Sequence, residues 1–312
     1  MNLKEDAAYI GFSAGWSAVR FMPKRMAYGT FNRIADRLWK SDGGGVVQLE
    51  KNLSRVLPDA TPEEIRELSR QGMRSYFRYW CDAFRLPDWS HDEINENFEL
   101  YGEVNLDDAL AKGKGVILAL PHQGNWDLAG AWAVTNKGPL TAVAERLKPE
   151  KLFERFLKFR TDIGMEILPL GTPNLTEELA DRLREGNRMV ALLSDRDLSR
   201  NGVEVDFFGE KTKMPPGPAH LALTTGAVII PASLWYEEDR ACARAHEQIR
   251  VAHTDPIGPD AAQQEGYAEA VTRITQQIAN QLEKGIREHP EDWHMLQKLW
   301  LVDLPPREPK EQ

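Results

Sequence analysis

In Val116-Ile117-Leu118-Ala119-Leu120-Pro121-His122-Gln123-Gly124-Asn125-Trp126-Asp127, five consecutive apolar residues give way to a polar turn. A short apolar run bounded by turn residues reads as a strand buried on both faces, the habit of a parallel sheet. Strand-like runs recur at 141–144, 166–170, 189–194 and 228–235, and 248–252 is expected to pair at an edge. Helical spacing separates them. Leu152, Phe153, Phe156 and Ile163 form one stripe, and Leu175, Leu179 and Leu183 a second that stops at Gly186. Residues 219–225 form a short helix, and Tyr267, Val271, Ile274, Ile278 and Leu282 mark a long amphipathic one. Strands alternating with helices predict an α/β fold, a central mostly parallel sheet flanked by helices.

Ahead of residue 111 the pattern is helical. Tyr9, Ile10, Phe12, Trp16, Val19 and Phe21 fall at roughly helical spacing, and Pro23 ends the run. Thr61-Pro62-Glu63-Glu64 opens another helix, with Thr61 as cap, Pro62 in the first turn and Glu64 completing a capping box. We read one domain over 1–312. Residues 1–110 form a helical, membrane-associating part, 111–304 the α/β catalytic part and 305–312 a loose tail.

The charge balance narrows the function. The chain of 312 residues carries a net charge of −9, which argues against a protein that coats nucleic acid. Its two cysteines, Cys81 and Cys242, form no disulfide framework and suit a reducing compartment. No apolar run approaches the roughly 18 residues of a transmembrane helix, and no signal peptide is visible. The first forty residues reverse the overall sign: Lys4, Arg20, Lys24, Arg25, Arg33, Arg37 and Lys40 stand against Glu5, Asp6 and Asp36. With Phe12, Trp16 and Phe21 on one stripe, this segment reads as an interfacial helix for an anionic membrane surface. The alternative is an amphipathic helix packed on the core.

Three stretches invite a chemical reading. Gly11-Phe12-Ser13-Ala14-Gly15 has the form of a nucleophile elbow, but no strand precedes the serine, so its small residues read as a helix contact. His289-Pro290-Glu291-Asp292-Trp293-His294 lacks metal-ligand spacing, and we expect no metal. The third is the turn after Val116–Leu120. On a continuous helix His122 and Asp127 would lie about 140° apart. Pro121 and Gly124 instead favour a loop at the carboxyl end of a strand, where open α/β sheets place their sites. A helix starting near Asn125 or Trp126 then lets Asp127 accept from one imidazole nitrogen, freeing the other to take a proton from a hydroxyl. The alternative is a polar turn whose histidine merely caps a helix.

His122-x4-Asp127 resembles the motif of the glycerolipid acyltransferases, most closely the bacterial lysophospholipid and lipid A late acyltransferase family. Asn52-Leu53-Ser54-Arg55-Val56, Val205-Asp206-Phe207-Phe208-Gly209 and Pro215-Pro216-Gly217-Pro218-Ala219-His220-Leu221-Ala222 also resemble the family pattern. Tyr79-Trp80, Ala83-Phe84-Arg85-Leu86-Pro87, the stretch from Val143 to Glu150 and Asp292-Trp293-His294-Met295-Leu296-Gln297 are similar to its actinobacterial branch, the phosphatidylinositol mannoside acyltransferases. The resemblance runs roughly from Tyr9 to Leu304.

It implies transfer of a fatty acyl group, palmitoyl favoured, from acyl-CoA to the 6-hydroxyl of the mannose on inositol O-2. It further implies a peripheral protein on the cytoplasmic face of the cell membrane, with acyl-CoA as co-substrate and no metal or other cofactor. Carried over by position, His122 is the base and Asp127 its partner. Glu145, Arg160 and Asp195 match positions near the site, although the family pattern has Glu where Asp195 precedes Arg196. Lys148, Arg160 and Arg196 are candidates for CoA or inositol phosphates, and Trp126, Phe153, Phe156, Phe207 and Phe208 for an acyl groove. A sugar hydroxyl is a poor nucleophile and a thioester is already activated, so a positioned base is the main requirement and no acyl-enzyme is needed. Backbone N–H groups after His122 are candidates for the oxyanion. Two alternatives stay open: a related enzyme with a lipid A or lysophospholipid acceptor, and a non-catalytic membrane-binding module.

Overall fold

The computed structural model describes residues 15–146, 150–197 and 202–304. The helical N-terminal region holds α1 (described over 15–21), α2 (Lys24–Lys40), α3 (Gly44–Val56) and α4 (Pro62–Arg85). α4 begins as its sequence predicts: the Thr61 hydroxyl accepts from the Glu64 N–H at 3.2 Å, and the Thr61 N–H donates to the Glu64 carboxylate at 2.7 Å. Such a cap contributes about 1 kcal/mol.

After α5 (His91–Glu96), strands and helices alternate through β1 (Phe98–Tyr101), α6 (Glu103–Ala111), β2 (Val116–Leu120), α7 (Trp126–Asn136), β3 (Leu140–Ala144) and α8 (Glu150–Asp162). The alternation continues through β4 (Glu166–Pro169), α9 (Leu175–Arg184) and β5 (Met189–Leu193). Strands β6 (Val203–Phe207) and β7 (Glu210–Met214) form a separate hairpin. Then come α10 (Gly217–Thr225), β8 (Val228–Glu237), β9 (Arg240–Ala245) and α11 (Tyr267–Glu288).

The seven-stranded sheet has the order β1-β9-β8-β2-β5-β3-β4, with β2 at its centre. Every pairing is parallel except β8 with β9. β2 is buried against both neighbours, with Leu120 opposite Leu193 of β5 and Val116 opposite Val228 of β8. The expected α/β fold is therefore present, with three differences in detail. Residues 248–252 form no strand, although the Ile249 N–H donates to Ile229 O at 2.9 Å. The hairpin partner of β8 is β9, whose buried Ala241, Cys242 and Ala243 are too small to raise a strand-like pattern. β1, four residues long inside the stretch read as helical, joins the sheet beside β9.

The N-terminal stripe divides. Phe12 and most of the Gly11–Gly15 motif lie outside the described residues. Trp16 is a core residue, 2 % exposed; its indole N–H donates to Phe84 O at 3.0 Å and its ring lies against Phe84 and Phe156. Phe21 is 88 % exposed, and Met26, Ile34 and Leu38 of α2 are exposed with it, interleaved with Arg25, Arg33 and Arg37. No described helix is long and apolar enough to cross a membrane.

Candidate active site

β2 delivers the chain to the centre of the sheet's carboxyl edge, and the next four residues turn sharply. Gly124 has φ +59°, and a Cβ there would sit 2.7 Å from the Leu234 carbonyl carbon, so only glycine fits. Asn125 then caps α7, its side chain accepting from the Leu128 N–H at 3.0 Å. His122 therefore stands in the loop before the helix, where the turn residues Pro121 and Gly124 place it.

The imidazole pairs with Asp195. His122 Nδ1 lies 2.6 Å from Asp195 Oδ1, and the His122 backbone N–H donates to Oδ2 at 2.9 Å. The Trp293 indole donates to the same Oδ2 at 3.0 Å. Asp195 is fully buried, whereas the His122 side chain is 24 % exposed. Burial works against the Asp195 charge, but His122, its N–H groups and the Trp293 indole outweigh it and hold the carboxyl below its ordinary range. A carboxylate on Nδ1 fixes the tautomer that leaves Nε2 bare, able to accept a proton.

This corrects the expected pairing of Asp127 with the imidazole. Its carboxylate accepts from Arg160 through Nε at 2.7 Å and Nη2 at 3.1 Å, and from the Tyr79 hydroxyl at 2.9 Å. Asp127 is 2 % exposed, and the pair ties α7 to α4 and α8. Burial opposes the Arg160 charge, but Asp127 outweighs that and raises its pKa above the ordinary value. The guanidinium fork suits a carboxylate better than one imidazole N–H does, so it wins Asp127. Two of the expected oxyanion donors are also engaged. Gln123 N–H bonds Pro121 O at 2.8 Å, and Gly124 N–H bonds Asp292 O at 2.9 Å.

A cavity of about 390 Å³ opens beside His122 and runs along the sheet beneath α7. Leu118, Leu120, Trp132, Ala191, Leu193 and Met165 give it an apolar wall. Glu145, Arg160, Arg196, Asp127 and Trp126 also line it. Lys148 lies outside the described residues. Of the five aromatic groove candidates only Trp126 faces the cavity. Phe207 and Phe208 pack on Trp293, while Phe153 and Phe156 are buried in the core.

The residues that the spacing argument missed come from the two ends of the chain. His294 lines the cavity and is 5 % exposed, its Nε2 lying 2.9 Å from Ser75 Oγ, which in turn donates to Asp292. Burial pushes the His294 pKa down to about 3 and that of Asp292 up to about 6. His289, Glu291 and Asp292 bring donor atoms within 4.8 Å of one another. The Asp292 oxygens, however, already accept from Ser75 and the Tyr236 N–H, and the His289 ring stacks on Trp235. The sequence signals for Trp293 and His294 were the His289–His294 stretch, weighed only as a metal site, and the Asp292–Gln297 motif.

Residues 4–302 match the family described as bacterial lipid A biosynthesis acyltransferase. Over 297 residues the chain is 43 % identical to a phosphatidylinositol mannoside acyltransferase of Mycolicibacterium smegmatis, covering 95 % of this chain and 92 % of that one. Over 303 residues it is 44 % identical to the protein of the same name from Mycobacterium tuberculosis, covering 94 % and 88 %.

Proposed function

The chain belongs to the bacterial lipid A biosynthesis acyltransferase family and is an acyltransferase, and from that premise we propose that it acylates phosphatidylinositol mannosides. The donor is acyl-CoA, palmitoyl foremost, and the acceptor is the 6-hydroxyl of the mannose on inositol O-2. One observation carries the reading: a histidine whose Nδ1 is held by a buried carboxylate stands at an apolar cavity fit for an acyl chain.

His122 Nε2 takes the proton of the mannose hydroxyl as that oxygen attacks the thioester carbonyl. The C–S bond then breaks, and the CoA thiolate leaves with the proton that His122 returns. Asp195 keeps the imidazole in register and stabilises the imidazolium, the work of the carboxylate in a catalytic triad. A positioned base of this kind is worth typically 10²–10⁴-fold. Glu145 and Arg196, at the cavity, contact the polar headgroup. The exposed face of α2 seats the protein peripherally on the cytoplasmic leaflet, its arginines meeting anionic lipid.

The test is mass spectrometry of the products formed from palmitoyl-CoA and a panel of glycolipid acceptors. Mono-palmitoylated phosphatidylinositol mannoside, lost in His122→Ala, is the expected product. Acylation of lysophospholipid or lipid A precursors alone would replace the acceptor, and a trapped acyl-enzyme would replace direct transfer.

A further inference from the structure

Residues 292–294 run antiparallel to the loop that carries His122. The Gly124 N–H donates to Asp292 O at 2.9 Å, the His294 N–H donates to His122 O at 2.8 Å, and Gln123 bridges Trp293. This register sets the Trp293 indole against Asp195. Trp293 is fully buried, with Phe207, Phe208 and Trp300 around its ring, so the indole has little freedom to leave.

The terminal torsion of an aspartate is broad, and a carboxylate held by one contact rocks about it. Here Oδ2 receives two N–H groups, from Trp293 and from the His122 backbone, while Oδ1 faces His122 Nδ1. Two donors on one oxygen fix the carboxylate plane. The backbone donor moves with the catalytic loop, whereas the indole is anchored in the core and supplies a fixed reference.

We propose that Trp293 is a positioning residue for acyl transfer: its indole N–H locks the Asp195 carboxylate so that His122 keeps its Nδ1 proton and presents a bare Nε2. The inference rests on the reading of His122 and Asp195 as the base and its partner.

The test replaces Trp293 in the full chain by β-(3-benzothienyl)alanine, in which sulfur stands for the indole N–H and the ring size is kept. We expect kcat with palmitoyl-CoA and phosphatidylinositol mannoside to fall about ten-fold, as for loss of one hydrogen bond to a charged group. KM for both substrates should stay near wild type, and the thermal midpoint should fall by no more than a few degrees, the cost of one buried hydrogen bond. In proton NMR, the downfield His122 Nδ1 proton, identified by its loss in Asp195→Asn, should shift and broaden. Unchanged kcat, or a loss confined to KM, would overturn the proposal, because a residue that only fills the core gives that result. Trp293→Phe, also without the N–H, should lose at least as much kcat. Failure of the underlying reading looks different: wild-type turnover by folded His122→Ala or Asp195→Asn protein would remove the base itself, whatever Trp293 does.

Discussion

Two aspartates flank His122, and their surroundings give them separate tasks. Asp195→Asn should lower kcat on the order of 10³–10⁴-fold with the fold intact, since Asn can hold the wrong tautomer. Asp127→Asn should act through stability, costing about 3 kcal/mol by leaving the partly buried Arg160 charge without its partner. Activity and thermal midpoints of both variants check this, and a fully stable but inactive Asp127→Asn protein would reverse the assignment. The turn chemistry of Pro121–Asn125 revealed His122 as a candidate, but spacing along a chain cannot show a competitor for Asp127. Arg160 reaches it from α8 through space. His294 carries a pH signature. Its pKa falls from 6.5 to about 3 on folding, so below 6.5 the unfolded chain binds a proton that the folded one refuses. Stability is therefore lost as pH drops through that window, by about 2 kcal/mol between pH 7 and 5. Asp292, raised to about 6, has the opposite sign below pH 6, its stabilising contribution fading as pH rises through the window. In His294→Phe the urea midpoint at pH 5, relative to that at pH 7, should rise compared with wild type, because only the Asp292 contribution is left.

At the level of elements, the amphipathic pattern was easier to detect than to orient. The stripe through Trp16 and Phe21 was legible, but which residue faces the core depends on α4 and α8. Phe84 and Phe156 claim Trp16, and Phe21 is left outside. Replacing Trp16 would therefore test folding, at about 3–5 kcal/mol for a buried Trp→Ala, rather than membrane attachment. The informative variant changes Phe21, Met26, Ile34 and Leu38 to Ser and Arg25, Arg33 and Arg37 to Gln. Co-sedimentation with anionic vesicles should drop several-fold while circular dichroism stays native, and undiminished binding would move the anchor elsewhere. The core strands of the sheet were readable because β2 and β5 are apolar throughout and β8 is interrupted only by Ser233 before Tyr236. β9 was not, because Arg240 and Arg244 alternate with side chains too small to mark a core face.

Across the whole molecule, motifs far apart in sequence meet at one seam. Asn52 is buried and donates to Met295 O at 2.7 Å and Gln297 O at 3.0 Å. Arg55 lies 4.5 Å over the Trp300 ring and pairs with Glu210 and Asp303. The Trp300 indole donates to Phe207 O at 2.9 Å. The ordered motifs were legible one by one, but their convergence was not, since no local pattern encodes a contact 243 residues away. Asn52→Ala strands the buried Met295 carbonyl, at about 1–3 kcal/mol, and should lower the melting temperature and kcat together. A loss of stability that leaves kcat untouched would detach the seam from the site. The same seam orders events during synthesis. Trp293 follows Asp195 by 98 residues, about 5–20 s of translation. Over that interval the nascent chain holds the acid and the histidine without the segment that braces them. The site is thus assembled in its final geometry only after the residues around Trp293 have emerged and docked against the His122 loop.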